Sequence, residues 1–322
     1  DVARALGFLH AQERFFQMDL LRRRAAGELA ELFGPGALPV DRASRVHRFR
    51  WRAQRAVDTM RPAERAVVEA YTAGVNSGLG ALGEKPFEYV LLRLEPAPWR
   101  IEDSALVGYA MFFVLSDATG RRESDRGLLE DLLPAELAAF LAPPGTEWDA
   151  PLIGAAFETP PTPGLARSMG EVVAASDDRS QADILDAVAL VGSNNWAVGG
   201  SRTGDGRALL ANDMHLGLAV PNTWYRVVLE WPSGDGCGPA HRMVGVTTPG
   251  APVVIAGSNT RVAWGFTNSQ GDWTDLVIVE VDPENPARYR SPGGWREMDT
   301  HTETIAVRDG EPETIEIRST LW

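Results

Sequence analysis

Apolar residues recur at three- and four-residue spacing through "ARALGFLHAQERFFQMDLLRRRAAGELAELFG", which predicts a long helix ending at Gly34 and Pro35. A second helix is predicted from Pro62, in "PAERAVVEAYTAGVNSGLGAL". A third falls in "PWRIEDSALVGYAMFFVLSD", where Glu102 and Asp103 suit the positive end of a helix dipole, and a fourth around "ESDRGLLEDLL". The periodicity then dissolves into a connector rich in proline, glycine and small polar residues, running to Gly192 with one short helix near 182–190. Connections of this length are uncommon in compact proteins and are usually functional or disordered. After Gly192 the chain turns to short β-prone runs: "NNWAVGG", "RALLANDMHLGL", "TWYRVVLEWP", "MVGVTTPGAPVVIAG", "RVAWGFTNS" and "TDLVIVEV". Turn signals such as "TGDG", "PSGDG" and "GSNT" separate them. Helices first, then a connector, then an antiparallel meander make an α+β chain rather than an α/β one.

Composition narrows the function classes. At 322 residues and 44% hydrophobic, the chain can bury a sizeable core. A formal net charge of -13 disfavours nucleic acid and anionic membrane as partners. Arginines 22–24, the densest basic cluster, read as a solvated helix face. The single cysteine, Cys237, rules out a disulfide framework within the chain, and the five histidines include no HExxH pair. There is no GxxxxGK[ST] loop, no GxSxG elbow and no apolar run long enough to span a membrane. Both ends read as cut, at Asp1 inside a helix and at Trp322 after a strand-like run, so a fragment is expected.

The switch from connector to sheet falls at Gly192-Ser193, inside "LVGSNNWAVGG". Gly, Ser and Asn are ordinary turn residues, so a tight turn is one reading. The other is a proteolytic boundary, as expected where an exposed connector meets an ordered strand. A cut there frees the α-amine of Ser193, with an ordinary pKa near roughly 7.7–8.0, beside its own hydroxyl. One residue then carries both a nucleophile and the base that a serine needs.

The longer stretch "SNNWAVGGSRTGDGRALLANDMHL" strongly resembles the start of the β-chain of the penicillin acylase family of N-terminal-nucleophile amidohydrolases. "LGFLHAQERFFQMDLLRRRAAGELAELFG" and "LEPAPWRIEDSALVGYAMFFVL" resemble that family's α-chain, and "PGAPVVIAGSNTRVAWGFTNSQGDWTDLVIVEV" its oxyanion-hole and metal segment. The resemblance implies an αββα sandwich with a mainly helical α-chain region at 1–165. A spacer peptide follows at 166–192, and the start of the β-chain at 193–322. It implies an amidohydrolase that cuts itself between Gly192 and Ser193 by an N-to-O acyl shift and works as an α/β heterodimer. The substrate would be a small acylated amide, of β-lactam side-chain or acyl-homoserine-lactone type; the alternatives are a homologue that binds acylated ligands without turnover and a conventional serine hydrolase using His215. Periplasmic or secreted location is implied by family habit, and no organic cofactor.

The resemblance also assigns residues. Ser193 is the nucleophile. His215 stands where the family has glutamine or histidine near it and can tune the amine; read locally, it is a structural histidine closing a strand. Asp213 lies on the same strand face, but without an elbow a Ser/His/Asp triad is less favoured. The backbone N–H of Asn268 matches one oxyanion-hole donor. The other donor lies in later sequence, so this fragment is expected to be inactive alone. Glu123, Asp272, Thr274 and Asp275 match a structural calcium site, an oxygen set suited to a hard cation; read locally, "GDWTD" is a solvated turn. Met111, Phe112 and Val114 match positions facing the acyl group. Trp224, Leu216 and the 253–255 run are further pocket candidates, although such apolar residues also serve as plain core.

Overall fold

The computed structural model describes residues 1–143, 145–148, 151, 153–162, 192–233, 238, 240–269 and 273–322. Two compact units form. One comprises Asp1–Ser116, Val191–Gln270 and Val279–Trp322; the other comprises Asp117–Leu190 and Gly271–Ile278. The first unit therefore draws on both sides of the Gly192-Ser193 junction.

Its helices are α1 (Val2–Ala26), α2 (Ala30–Phe33), α3 (Leu38–Arg45), α4 (Phe49–Asp58), α5 (Pro62–Gly80), α6 (Phe87–Leu92) and α7 (Asp103–Leu115). The second unit holds α8 (Arg121–Leu132) and α9 (Ala135–Leu141). The first predicted helix runs on to Gly34, whereas α1 stops at Gly27, which takes φ 68°. An ideal Cβ there would lie 2.8 Å from Asp41 O, so glycine lets α3 close on the helix end. The predicted helix near 182–190 lies outside the described residues.

The strands are β1 (Gly192–Val198), β2 (Leu209–His215), β3 (Tyr225–Trp231), β4 (His241–Thr247), β5 (Ala256–Ser258) and β6 (Ala263–Trp264). Then follow β7 (Arg288–Ser291), β8 (Gly294–Glu297), β9 (Asp299–Ile305) and β10 (Glu313–Ser319). All pairings are antiparallel: β1 with β2, β3-β4-β5-β6 as a four-stranded sheet, β7 with β8, and β9 with β10. The mixed α+β class expected from the sequence is met. The run "TDLVIVEV" is a correction: among the described residues it contributes only the single bridge of Val281 to Tyr289. It finds no neighbouring ladder, and Ile278 is fully exposed.

The core follows from close helix packing. Gly74 and Gly78 on α5, with Gly7 on α1, allow backbone-to-backbone approach: an ideal Cβ on Gly74 would lie 2.0 Å from Arg4 O. Leu6, Ala11, Phe15 and Met18 of α1 bury against Tyr71, Val75, Tyr89, Trp99, Val107 and Val227. Fully burying a Leu-, Met- or Phe-sized side chain contributes about 1.5–3 kcal/mol.

A polar skeleton lies inside this apolar shell. Asp19 accepts from Arg22 and Arg23 and from the Tyr89 hydroxyl (2.7 Å). Arg22 and Arg50 both donate to Asp103, at the start of α7, and Arg50 also pairs with Glu28. The arginines read as a solvated helix face are thus corrected for Arg22 and Arg23, which are buried. Each is neutralised by carboxylates, which makes burial of charge tolerable.

Candidate active site

The β1–β2 ladder places Gly192 opposite His215, Ser193 opposite Met214 and Asn194 opposite Asp213. Ser193, half-buried, accepts a hydrogen bond on Oγ from the backbone N–H of Asn268 at 2.7 Å. The Asn268 side chain donates through Nδ2 to the Leu115 carbonyl at the end of α7 (3.1 Å). The Asp19–Arg22–Asp103 skeleton holds the start of α7, and the end of α7 holds Asn268. Asn268 in turn meets Ser193.

His215, at the end of β2, approaches Asp213 Oδ2 through Nε2 at 2.7 Å, as their shared strand face predicts. In the neutral imidazole an ionised Asp213 accepts from Nε2–H and leaves Nδ1 as the acceptor nitrogen. Nδ1 faces the junction: an ideal Cβ on Gly192 would lie 3.2 Å from His215 Nδ1. A side chain at 192 would crowd the imidazole.

The proposed acyl-pocket residues divide. Phe112 packs edge-on to His47 and Phe49 of the α4 region (both 5.8 Å between ring centres) and tilted against Phe113. Burial, then the charges of Arg52 and Arg24, lower the His47 pKa from its ordinary value. Met111, half-buried on the same helix, lies one turn before Leu115, whose carbonyl anchors Asn268, and Val114, next to Leu115, is exposed. Trp224 donates its backbone N–H to Asn222 Oδ1 and stands apart from the Ser193–Asn268 pair in the hydrogen-bond and ring contacts of the described residues.

The proposed calcium set falls partly outside the described residues. Glu123 lies in α8 and Asp275 is exposed, while Asp272 lies outside the described residues. No group of three or more His, Cys, Asp or Glu able to hold a metal is found among the described residues.

Two features escaped sequence reasoning. Asn212 on β2 bridges β1 and the segment leading to Asn268. His10, buried on α1, joins a directed hydrogen-bond chain. Gly250 N–H donates to the Tyr71 hydroxyl (3.0 Å), and Tyr71 bonds His10 Nδ1 (2.7 Å). His10 Nε2 bonds Thr247 Oγ1 (2.9 Å), which donates to Tyr225 O (3.3 Å). Burial, then the charge of Arg14, lowers the His10 pKa to about 3, so it is neutral. Burial raises the Tyr71 phenol, keeping its donor proton in place.

A helical region and antiparallel sheets that meet at a serine backed by a backbone donor define the class. The sequence matches the penicillin amidase family model over residues 1–322, and the chain belongs to the penicillin amidase family. It is 32% identical to the acyl-homoserine lactone acylase QuiP of Pseudomonas aeruginosa, over 97% of this chain and 36% of that protein. It is also 32% identical to the penicillin acylase 2 proenzyme of Pseudomonas sp. (strain SE83), over 99% of this chain and 40% of that protein. A penicillin G acylase structure from Alcaligenes faecalis aligns at 24% identity over 48% of this chain and 86% of that chain, with a TM-score of 0.39. The chain spans less than half the length of these two curated relatives.

Proposed function

We propose that the full-length protein is an autoprocessed amidohydrolase acting on the linear amide of an N-acylated small molecule, of acyl-homoserine-lactone or β-lactam side-chain type. The observation that carries this reading is the 2.7 Å contact from the Asn268 N–H to Ser193 Oγ, directly after Gly192 at the connector-to-strand switch. In the uncut chain Ser193 Oγ attacks the Gly192 carbonyl, the amide becomes an ester, and water releases the two chains. The freed α-amine then takes the hydroxyl proton as Oγ attacks the substrate carbonyl. The tetrahedral oxygen, bonded to the same carbon as Oγ, falls within reach of the Asn268 N–H. The C–N bond breaks as the amine leaves with a proton, and water hydrolyses the acyl-serine. His215, held through Nε2 by Asp213, accepts from the α-amine through Nδ1 and orients it.

A heterodimer of the two products is supported by bonds that cross the junction. His10 meets Thr247, Asn268 meets Leu115, Arg45 meets Glu303 and Arg42 meets Glu313. No step is routed through calcium. Export to the periplasm or beyond belongs to the same proposal and is read by cell fractionation.

The test is intact mass and N-terminal sequencing of the full-length protein, with amidase assays alongside. A new terminus beginning "SNNWAV", and loss of both the cut and amide hydrolysis in Ser193→Ala, are expected. An uncut, folded parent would sink the proposal. The Asp213–His215 contact favours one second reading, a conventional serine hydrolase with His215 as base. That reading requires an uncut protein that is active and indifferent to Ser193→Ala.

A further inference from the structure

Asn268 lies outside the named strands, and the Leu115 carbonyl holds its side chain but not the chain that leads to it. Asn212 supplies a two-point grip on the same segment. Its Oδ1 accepts from the Phe266 N–H (3.1 Å) and its Nδ2 donates to the Phe266 carbonyl (3.0 Å). This is the pattern a neighbouring strand residue offers in an antiparallel ladder, delivered here by a side chain. The same Nδ2 donates to the Asn194 carbonyl on β1, one residue after Ser193 (3.1 Å). In an extended chain, N–H groups two residues apart point the same way. Phe266 is therefore fastened to Asn212, and the next N–H on that side, that of Asn268, arrives at Ser193 Oγ.

Residue 265 is shaped for this approach. An ideal Cβ on Gly265 would lie 2.6 Å from Asn212 Oδ1 and 2.7 Å from Asn195 Nδ2, so any side chain would push the segment off the clamp. Asparagine is the side chain that fits at 212: it offers an acceptor and two donor hydrogens at the reach required. Aspartate would face two carbonyl oxygens without a proton, and leucine would offer neither function.

We propose that Asn212 is a positioning residue for the oxyanion donor: its amide fastens residues 265–268 to β1 and so sets the distance from the Asn268 N–H to Ser193. This rests on the reading of Ser193 as nucleophile. Asn212 touches neither substrate nor the reacting atoms; it acts through the Phe266 and Asn194 backbones. A displaced donor weakens the transition state more than substrate binding, so the loss belongs in kcat.

The experiment uses the full-length protein, with kcat counted per processed molecule by intact mass and an acyl-homoserine lactone and a penicillin as probe amides. Asn212→Asp and Asn212→Leu are expected to lower kcat roughly 10- to 100-fold with KM held within about threefold, short of the ~10²–10³ expected for removing a donor outright. Asn268→Pro, which deletes the N–H, closes a double-mutant cycle: combined with Asn212→Asp it is expected to fall no further than Asn268→Pro alone. A folded Asn212→Asp that stays uncut yields no processed enzyme, and Asn212→Leu then carries the measurement. A kcat within about twofold of the parent, a loss confined to KM, or losses that multiply in the double variant would overturn the proposal. Should Asn212→Asp be insoluble, Asn212→Ala, which leaves Phe266 to water, carries the same reading. Ser193→Ala run in parallel separates the two failures. If it stays active, the nucleophile assignment falls and this inference with it; if it is dead while Asn212→Asp is unaffected, only this inference falls.

Discussion

His10 and His215 carry the same imidazole in opposite surroundings. His10 lies wholly buried between α1, α5 and β4, with both ring nitrogens bonded to hydroxyls and its pKa lowered to about 3. His215 lies at an exposed strand end, with one nitrogen on Asp213 and the other facing the Gly192 junction. Complete satisfaction makes a side chain architectural. A ring with one nitrogen turned to the Gly192-Ser193 junction is placed for the role proposed for it. The same contrast separates the helical region, whose buried charges are paired, from the β1–β2 ladder, whose polar groups reach solvent.

The comparison can be broken first where the pairing is densest. Asp103→Ala removes an acceptor shared by Arg22, Arg50 and the Arg100 N–H, leaving the buried Arg22 with Asp19 as its one carboxylate partner. A loss of about 3–5 kcal/mol is expected, read from the urea midpoint of the full-length protein. His10→Leu strands the Tyr71 hydroxyl and should cost about 1–3 kcal/mol by the same measurement.

His10→Leu also probes acid stability. The folded pKa of His10 is depressed, so below its unfolded value of 6.5 the unfolded chain binds the extra proton. Stability therefore drains as pH falls from about 6.5 towards about 3. Between those limits the parent should lose a few kcal/mol that His10→Leu does not. Equal slopes in thermal melts at pH 7 and pH 4 would remove His10 from the account.

His215→Leu sharpens the contrast from the other side. Its stability should stay within about 0.5 kcal/mol of the parent, while amide hydrolysis drops and its pH–rate profile moves. A variant that merely unfolds would make His215 structural. The smallest effect is expected from Asp213→Asn, whose amide no longer demands a proton on Nε2. Stability should not change, and kcat should fall roughly tenfold through the wrong tautomer. An unchanged kcat would leave Asp213 as surface decoration.

The helical opening and the β-rich remainder were legible because apolar periodicity and turn residues are local signals. The start of the strands at Gly192 was legible from the composition switch, and β1 begins there. The end of the first helix was not, because Gly27 stops it only through the approach of Asp41 and Arg45. The "TDLVIVEV" run misled because β-propensity needs a partner strand to become a ladder. His10 looked like one histidine among five. Asn212 looked like a polar strand residue, and nothing in "LLANDMH" shows that its amide would grip a segment 54 residues away.

The sequence by itself determined which residues could do chemistry at the junction, since a serine after glycine with histidine and aspartate on one strand face follows from order and a two-residue period. Only the tertiary structure decided which donor meets Ser193, which histidine is silenced by burial and which asparagine holds the site together. Those outcomes depend on long-range hydrogen bonds and desolvation, which arise where distant segments meet and leave no periodic trace along the chain.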